Sequence, residues 1–259
     1  MYGPRTRDQR REGTCLDVLV HSMLAQNTNM ANANSGWRQL RRAFRSWRQV
    51  MDAPVRDVQR CIAVCGLARM RARRLQQLLQ RIDQQNGKLD LQFLAERPPQ
   101  DAYDFLMSFF GIGPKTAACT LLFAFGMPMF PVDNGILRVA RRLRLVSPKT
   151  RDVETSRTIQ CNASAKQCYP LHVLMFTHAK RTCRPRNPKC DECKLVELCP
   201  HGKKRLRHQP AETVEESVMR LRPIILSRRA GDGIPKNEEE MERKRRAHPL
   251  APYSGRGSG

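Results

Sequence analysis

The chain has 259 residues, enough for one large domain or two small ones. Its net charge of +23 and isoelectric point near 10.5 favour a polyanionic partner, with nucleic acid the first candidate. No apolar run reaches the roughly 18 residues of a membrane-spanning helix, and Met1-Tyr2-Gly3-Pro4-Arg5 has no apolar signal-peptide core, so a reducing, soluble compartment is expected and a membrane is not.

Taken in order, Met1 to Gly13 is polar. Thr14 can cap a helix whose apolar residues Leu16, Leu19, Val20 and Met23 fall at helical spacing. Ala25-Gln26-Asn27-Thr28-Asn29 is a polar break. Trp37, Leu40, Phe44 and Trp47 form a second apolar stripe, with Arg38, Arg41, Arg42, Arg45 and Arg48 on the other sides. The tryptophans fall on the stripe and are expected in the core rather than as base-stacking platforms. Val55 to Val64 reads as a short helix broken by Gly66. Leu75, Leu78, Leu79 and Ile82 mark the next, which stops at Asn86-Gly87. Leu91 to Ala95 is a short turn.

Two apolar runs, Tyr103 to Phe110 and Ala117 to Phe125, flank Gly111-Ile112-Gly113-Pro114-Lys115. This pattern predicts two helices joined by a tight turn, a helix-hairpin-helix. Glycines let a backbone approach a partner closely, and free N–H groups at a helix start bind phosphate. Gly111, Ile112 and Gly113 are therefore candidate DNA contacts, and Lys115 sits on the first turn that follows. Pro128 to Pro131 is a loop ending at Asp133. Ile136, Val139, Ala140 and Leu143 then form one helical face, with Arg138, Arg141, Arg142 and Arg144 opposite. Asp152 to Ala165 and Cys168 to Arg181 read as two further helices. No strand-like alternation appears, so the fold class is all-α. Beyond Gly202 the tail carries a net +6, leaving +17 on the rest; residues 203–259 read as a low-complexity, disordered charged tail.

Cys183, Cys190, Cys193 and Cys199 are spaced C-x6-C-x2-C-x5-C among Arg, Pro, Lys and Asp, which is not a core composition. Four thiolates on a compact loop suit zinc or a [4Fe–4S] cluster. Zinc sites usually pair two knuckles and only one occurs here, which favours the cluster. Arg184, Arg186 and Lys189 lie between the first two cysteines and are candidate phosphate contacts. The other six cysteines, Cys15, Cys61, Cys65, Cys119, Cys161 and Cys168, lie on or beside apolar stripes and read as small buried residues.

The hairpin Phe110-Gly111-Ile112-Gly113-Pro114-Lys115-Thr116-Ala117, then Pro131-Val132-Asp133, then the four spaced cysteines resemble the endonuclease III family of DNA glycosylases over about residues 14–202. The resemblance implies an enzyme that flips a damaged base in double-stranded DNA, cuts its N-glycosidic bond and nicks the abasic strand. It implies Lys115 as nucleophile, Asp133 as essential carboxylate, and a [4Fe–4S] cluster on the four cysteines. Gln26 matches a residue that fills the gap left by the flipped base, and Leu67 a wedge in the stack. Oxidised pyrimidines are the expected lesion; related branches act on thymine mismatches, adenine mispairs or methylated cytosine. Asn29 and Asn134-Gly135 depart from the family pattern near the expected pocket and bear on lesion choice.

An amine attacking C1′ must be neutral, and the positive end of a helix in a basic protein favours proton loss. Asp133 can steady the developing cation while also capping the helix that follows it. The expected architecture is two helical lobes with a cleft between them. Residues 24–132 form the hairpin lobe, 133–202 the cluster lobe, and the helix within 1–23 packs with the latter. A monomer is expected, cytoplasmic and nucleoid-associated in a prokaryote or nuclear in a eukaryote. The rival reading is a non-catalytic iron–sulfur DNA-binding damage or redox sensor that uses the hairpin only to grip phosphate.

Overall fold

A computed structural model describes residues 13–207, and the tail read as disordered lies almost wholly outside them. Among the described residues the chain is all-α: α1 (Cys15–Leu24), α2 (Met30–Ala43), α3 (Trp47–Asp52), α4 (Val55–Cys61), α5 (Ala68–Asn86), α6 (Pro99–Met107), α7 (Pro114–Phe125), α8 (Asn134–Arg142), α9 (Asp152–Asn162), α10 (Ala165–Arg181) and α11 (Pro200–Arg207). Short 3-10 turns occupy Ala63–Cys65, Gln92–Glu96 and Val196–Leu198.

Thr14 does cap α1. Its hydroxyl accepts from the Asp17 N–H (3.2 Å) while its own N–H donates to Asp17 Oδ2 (2.7 Å), a reciprocal capping box. The helix packs chiefly on α7 and also on α2, rather than on the cluster segment expected from the sequence. The cause lies in Cys15–Leu24 itself. Leu16, Val18, Leu19, Val20 and Leu24 point in several directions and are all buried, and a helix apolar all round belongs in the middle of a fold.

The Trp37–Trp47 stripe is shared by two helices. Phe44 ends α2 in an extended conformation, and Ser46 caps α3 through its hydroxyl. The tryptophans meet at 5.7 Å, Trp47 Nε1 donates to Asp17 Oδ1 (3.1 Å), and Arg41 lies over both rings. They are packing residues. Of the six cysteines expected inside, Cys15, Cys65 and Cys168 are buried and Cys61 and Cys119 half-buried, but Cys161 is exposed. It sits near the outer end of α9, where the apolar pattern has lapsed.

Helix α8 buries Ile136, Val139 and Ala140 as its spacing demands. The arginines opposite are not a merely solvated face. Arg138 donates to the carbonyls of Cys183 and Ala179 (both 3.0 Å), and Arg141 to that of Thr150 (2.7 Å). Guanidinium forks thereby tie α8 to the segments that follow it.

Candidate active site and nucleic-acid interface

The hairpin forms as predicted between α6 and α7. Gly111 adopts φ +85°, which other residues resist, and the Ile112 N–H closes the turn on the Phe109 carbonyl (3.1 Å). Gly113 is the extended N-cap of α7, with open space where a Cβ would stand. Pro114 starts the helix, and Lys115 projects from its first turn, exposed. Ile112 is 4% exposed, so only its backbone remains for a ligand. Gln26, from the loop after α1, donates through Nε2 to the Gly111 carbonyl and to Thr116 Oγ1, both at 3.1 Å. The polar break and the hairpin, 85 residues apart, thus form one structure.

Lys115 lines a cavity of about 140 Å³ with Tyr103, Met129, Phe130, Val132 and Arg157. Asp133 follows Val132 and caps α8, its Oδ1 accepting from the Ile136 N–H at 2.7 Å. A Cβ on Gly135 would stand 3.0 Å from the Ala179 Cβ and 3.1 Å from Asp133 Oδ1. Glycine at 135 therefore answers close helix packing against α10. Asn29, the other departure, is the N-cap of α2 and accepts from the Asn32 N–H (2.9 Å).

His172 on α10 is buried against Phe123, Phe130 and Phe176, and its Nδ1 donates to the Pro131 carbonyl at 3.0 Å. It was not singled out from the sequence, although Cys168, His172, Met175 and Ala179 share a helical period that points inward. Burial pushes its pKa from 6.5 down to about 4; the Asp133 carboxylate pulls it up and the Lys115 ammonium pulls it further down. Phe130, which packs on the His172 ring, also lines the cavity of Lys115, together with Val132, the residue before Asp133.

A stability prediction follows from the burial. The unfolded chain binds this proton below about pH 6.5 and the folded chain only below about 4. The contribution of neutral His172 is therefore intact above pH 6.5 and is lost on acidification between those values, by about 3 kcal/mol in all. Urea unfolding of the parent and of His172→Phe at pH 7 and pH 4 is expected to show that much less acid loss in the variant; equal losses contradict the assignment.

Arg71, also missed, is 9% exposed. It donates to the carbonyls of Gly66 (2.8 Å), Met23 (3.0 Å) and Gln26, and so clasps the loop bearing Gln26 to the turn bearing Leu67. Desolvation lowers its pKa. One arginine among Arg69, Arg71, Arg73 and Arg74 has no composition signal, but residue 71 precedes Leu75 by one helical turn on the buried stripe. Leu67 itself sits in a left-handed conformation (φ 50°) and is 64% exposed, and it shares a cavity with Gln26, Met70 and Arg74.

All four spaced cysteines line one cavity, together with His178 and Arg142. Among the described residues no group of three or more Cys, His, Asp or Glu is arranged to hold a single metal ion. Polar hydrogens already point at the sulfurs: Arg142 Nη1 lies 3.2 Å from Cys183 Sγ and the Gly202 N–H 3.3 Å from Cys199 Sγ. His178 Nε2 is 4.0 Å from Cys193 Sγ. Arg142 also donates to the carbonyls of Arg184 (2.8 Å) and Pro185 (3.2 Å), which stiffens the loop that exposes Arg184 and Arg186. On the same loop, Lys189 Nζ forms an exposed ion pair with Glu192 at 2.9 Å.

Residues 20–163 match the HhH-GPD superfamily of base excision DNA repair proteins. The chain belongs to that superfamily. It is 33% identical over 153 residues to endonuclease III of Sulfolobus acidocaldarius, spanning 58% of this chain and 65% of that protein. It is 30% identical over 191 residues to the DNA glycosylase/AP lyase ROS1 of Arabidopsis thaliana, spanning 66% of this chain but 14% of the plant protein. In shape it is similar to a trapped endonuclease III–DNA covalent intermediate, with a TM-score of 0.68 and 24% identity over 79% of this chain and 91% of the other. That likeness shows the fold. This HhH-GPD protein is thus a DNA glycosylase of base excision repair, similar to endonuclease III. Among the described residues no helix is long and apolar enough to cross a membrane.

Proposed function

We propose that this glycosylase is bifunctional, removing oxidised pyrimidines from duplex DNA and then nicking the abasic strand. The observation that carries the reading is that Lys115, at the start of the helix that the hairpin presents, lines a cavity of about 140 Å³ together with Val132, the residue before the capping Asp133. In this reading Lys115 Nζ attacks C1′ of the everted nucleotide. The N-glycosidic bond breaks and the base departs with the electron pair and a proton. Ring opening leaves a Schiff base, from which loss of a C2′ proton expels the 3′ phosphate. Asp133 holds its cap bond through Oδ1 and steadies the sugar cation with its other oxygen.

Cys183, Cys190, Cys193 and Cys199 would hold a [4Fe–4S] cluster, and the N–H donors aimed at two of the sulfurs suit thiolate ligands. When bound, the cluster supplies a rigid anchor for the loop bearing Arg184 and Arg186. Those arginines and the backbone of Gly111 and Gly113 grip phosphate. Gln26 and Leu67, joined by Arg71, fill the space vacated by the flipped base. The protein works as a monomer in the compartment of the chromosome, the nucleoid of a prokaryote or the nucleus of a eukaryote.

The test is borohydride trapping on duplexes bearing thymine glycol, an abasic site, or a thymine mismatch. A covalent adduct and a nicked strand are expected with the first two. Base release with neither adduct nor nick contradicts the lyase, and a preference for the mismatch contradicts the lesion. Iron and labile sulfide analysis is expected to give about four of each per chain; zinc without sulfide rules the cluster out.

A further inference from the structure

Phe110, at the crest of the hairpin, is 76% exposed, more than any other large apolar side chain among the described residues. It lies outside the Gly111-Ile112-Gly113-Pro114-Lys115 stretch used to grip phosphate. The guanidinium of Arg74 stands 5.4 Å from the centre of its ring, and the Arg74 stem runs 3.8 Å from where a Cβ on Gly111 would be. Arg74 also lines the cavity of Gln26, Leu67 and Met70. Leu67 is 64% and Met70 38% exposed, so Leu67, Met70 and Phe110 make an apolar crest bridged by Arg74. Arg69 and Arg73 are exposed on the same helix.

A bare phenyl ring is unfavourable in water, and an apolar crest among arginines does not suit an apolar protein partner. It suits duplex DNA, whose phosphates meet the arginines and whose bases offer apolar π faces. We infer that Phe110, backed by Arg74, stacks on a nucleobase bordering the gap left by the everted nucleotide, as a second wedge beside Leu67. The inference rests on the proposed glycosylase reading. Stacking suits any base, since each has a π face, and Arg74 polarises the ring from its side by a cation–π contact.

The test uses the full chain and two duplexes, one intact and one with a tetrahydrofuran abasic analogue flanked by 2-aminopurine. Phe110 touches solvent on most of its surface, so Phe110→Ala is expected to fold as the parent does. It should bind the analogue duplex about tenfold more weakly, with little change on intact duplex, and should lose the 2-aminopurine response. Phe110→Trp should restore tight binding and show quenched indole emission on the analogue duplex. If the parent prefers the analogue duplex but Phe110→Ala binds it equally well, the wedge is wrong and the glycosylase reading stands. A parent with no preference for the analogue duplex overturns both.

Discussion

Lys115→Gln is expected to abolish borohydride trapping and to slow strand nicking on the order of 10³-fold or more, because among the described residues Lys115 is the one lysine that lines this cavity. The fold gives the experiment a clean background. Lys115 is exposed on the first turn of α7, and no hydrogen bond of the hairpin depends on it: the turn is closed by the Ile112 N–H and by Gln26. Unfolding free energy should therefore stay within about 0.5 kcal/mol of the parent. Retained affinity for damaged duplex with no adduct is the expected pattern. An adduct of parental yield would assign the Schiff base to another amine. The rival sensor reading predicts no adduct from the parent either, so the same gel separates the two.

Asp133→Asn is expected to lower the single-turnover rate by about 10²- to 10³-fold, the scale of losing one charge aimed at a developing cation. The substitution keeps the cap. Asn and Asp are comparable N-cap residues, and an amide oxygen can still accept from the Ile136 N–H that Asp133 Oδ1 now holds at 2.7 Å. Asp133→Ala loses both roles and should cost about 1 kcal/mol of stability in addition. Rates of Asn and Ala variants that fall together while only the Ala variant loses stability would show that capping and catalysis share one side chain. A near-parental rate for Asp133→Asn would leave Asp133 as a cap alone. Gly135 bears on this geometry, since any side chain there would press on Asp133 Oδ1 and on Ala179. Its departure from the family pattern is thus a packing requirement as much as a matter of lesion choice.

Much of the interface was legible because it is local. Two glycines and a proline within four residues specify the turn before α7, and Asp ahead of a periodic run specifies the cap of α8. Four cysteines within 17 residues must lie near one another whatever the remainder of the chain does. The resemblance to endonuclease III rests on these short-range patterns in order, and the superfamily match agrees with it. What was not legible depended on long-range partners. The arginines of α8 reach carbonyls of α10 and of the cysteine loop that lie 41 to 45 residues further along the chain.

The sequence by itself determined an all-helical chain, the hairpin, the capping aspartate, the spaced cysteines and a strongly basic surface, because helical period, turn chemistry and covalent spacing act over a few residues. Only the tertiary structure decided that α1 is a central helix, that Arg71 clasps the Gln26 and Leu67 loops together, and that Lys115 shares a cavity with Val132, beside Asp133. The physical reason is that burial and electrostatics depend on distance in space. A lysine on one helix and the loop that leads to an aspartate at the head of another come to line one cavity only once packing has closed the chain between them.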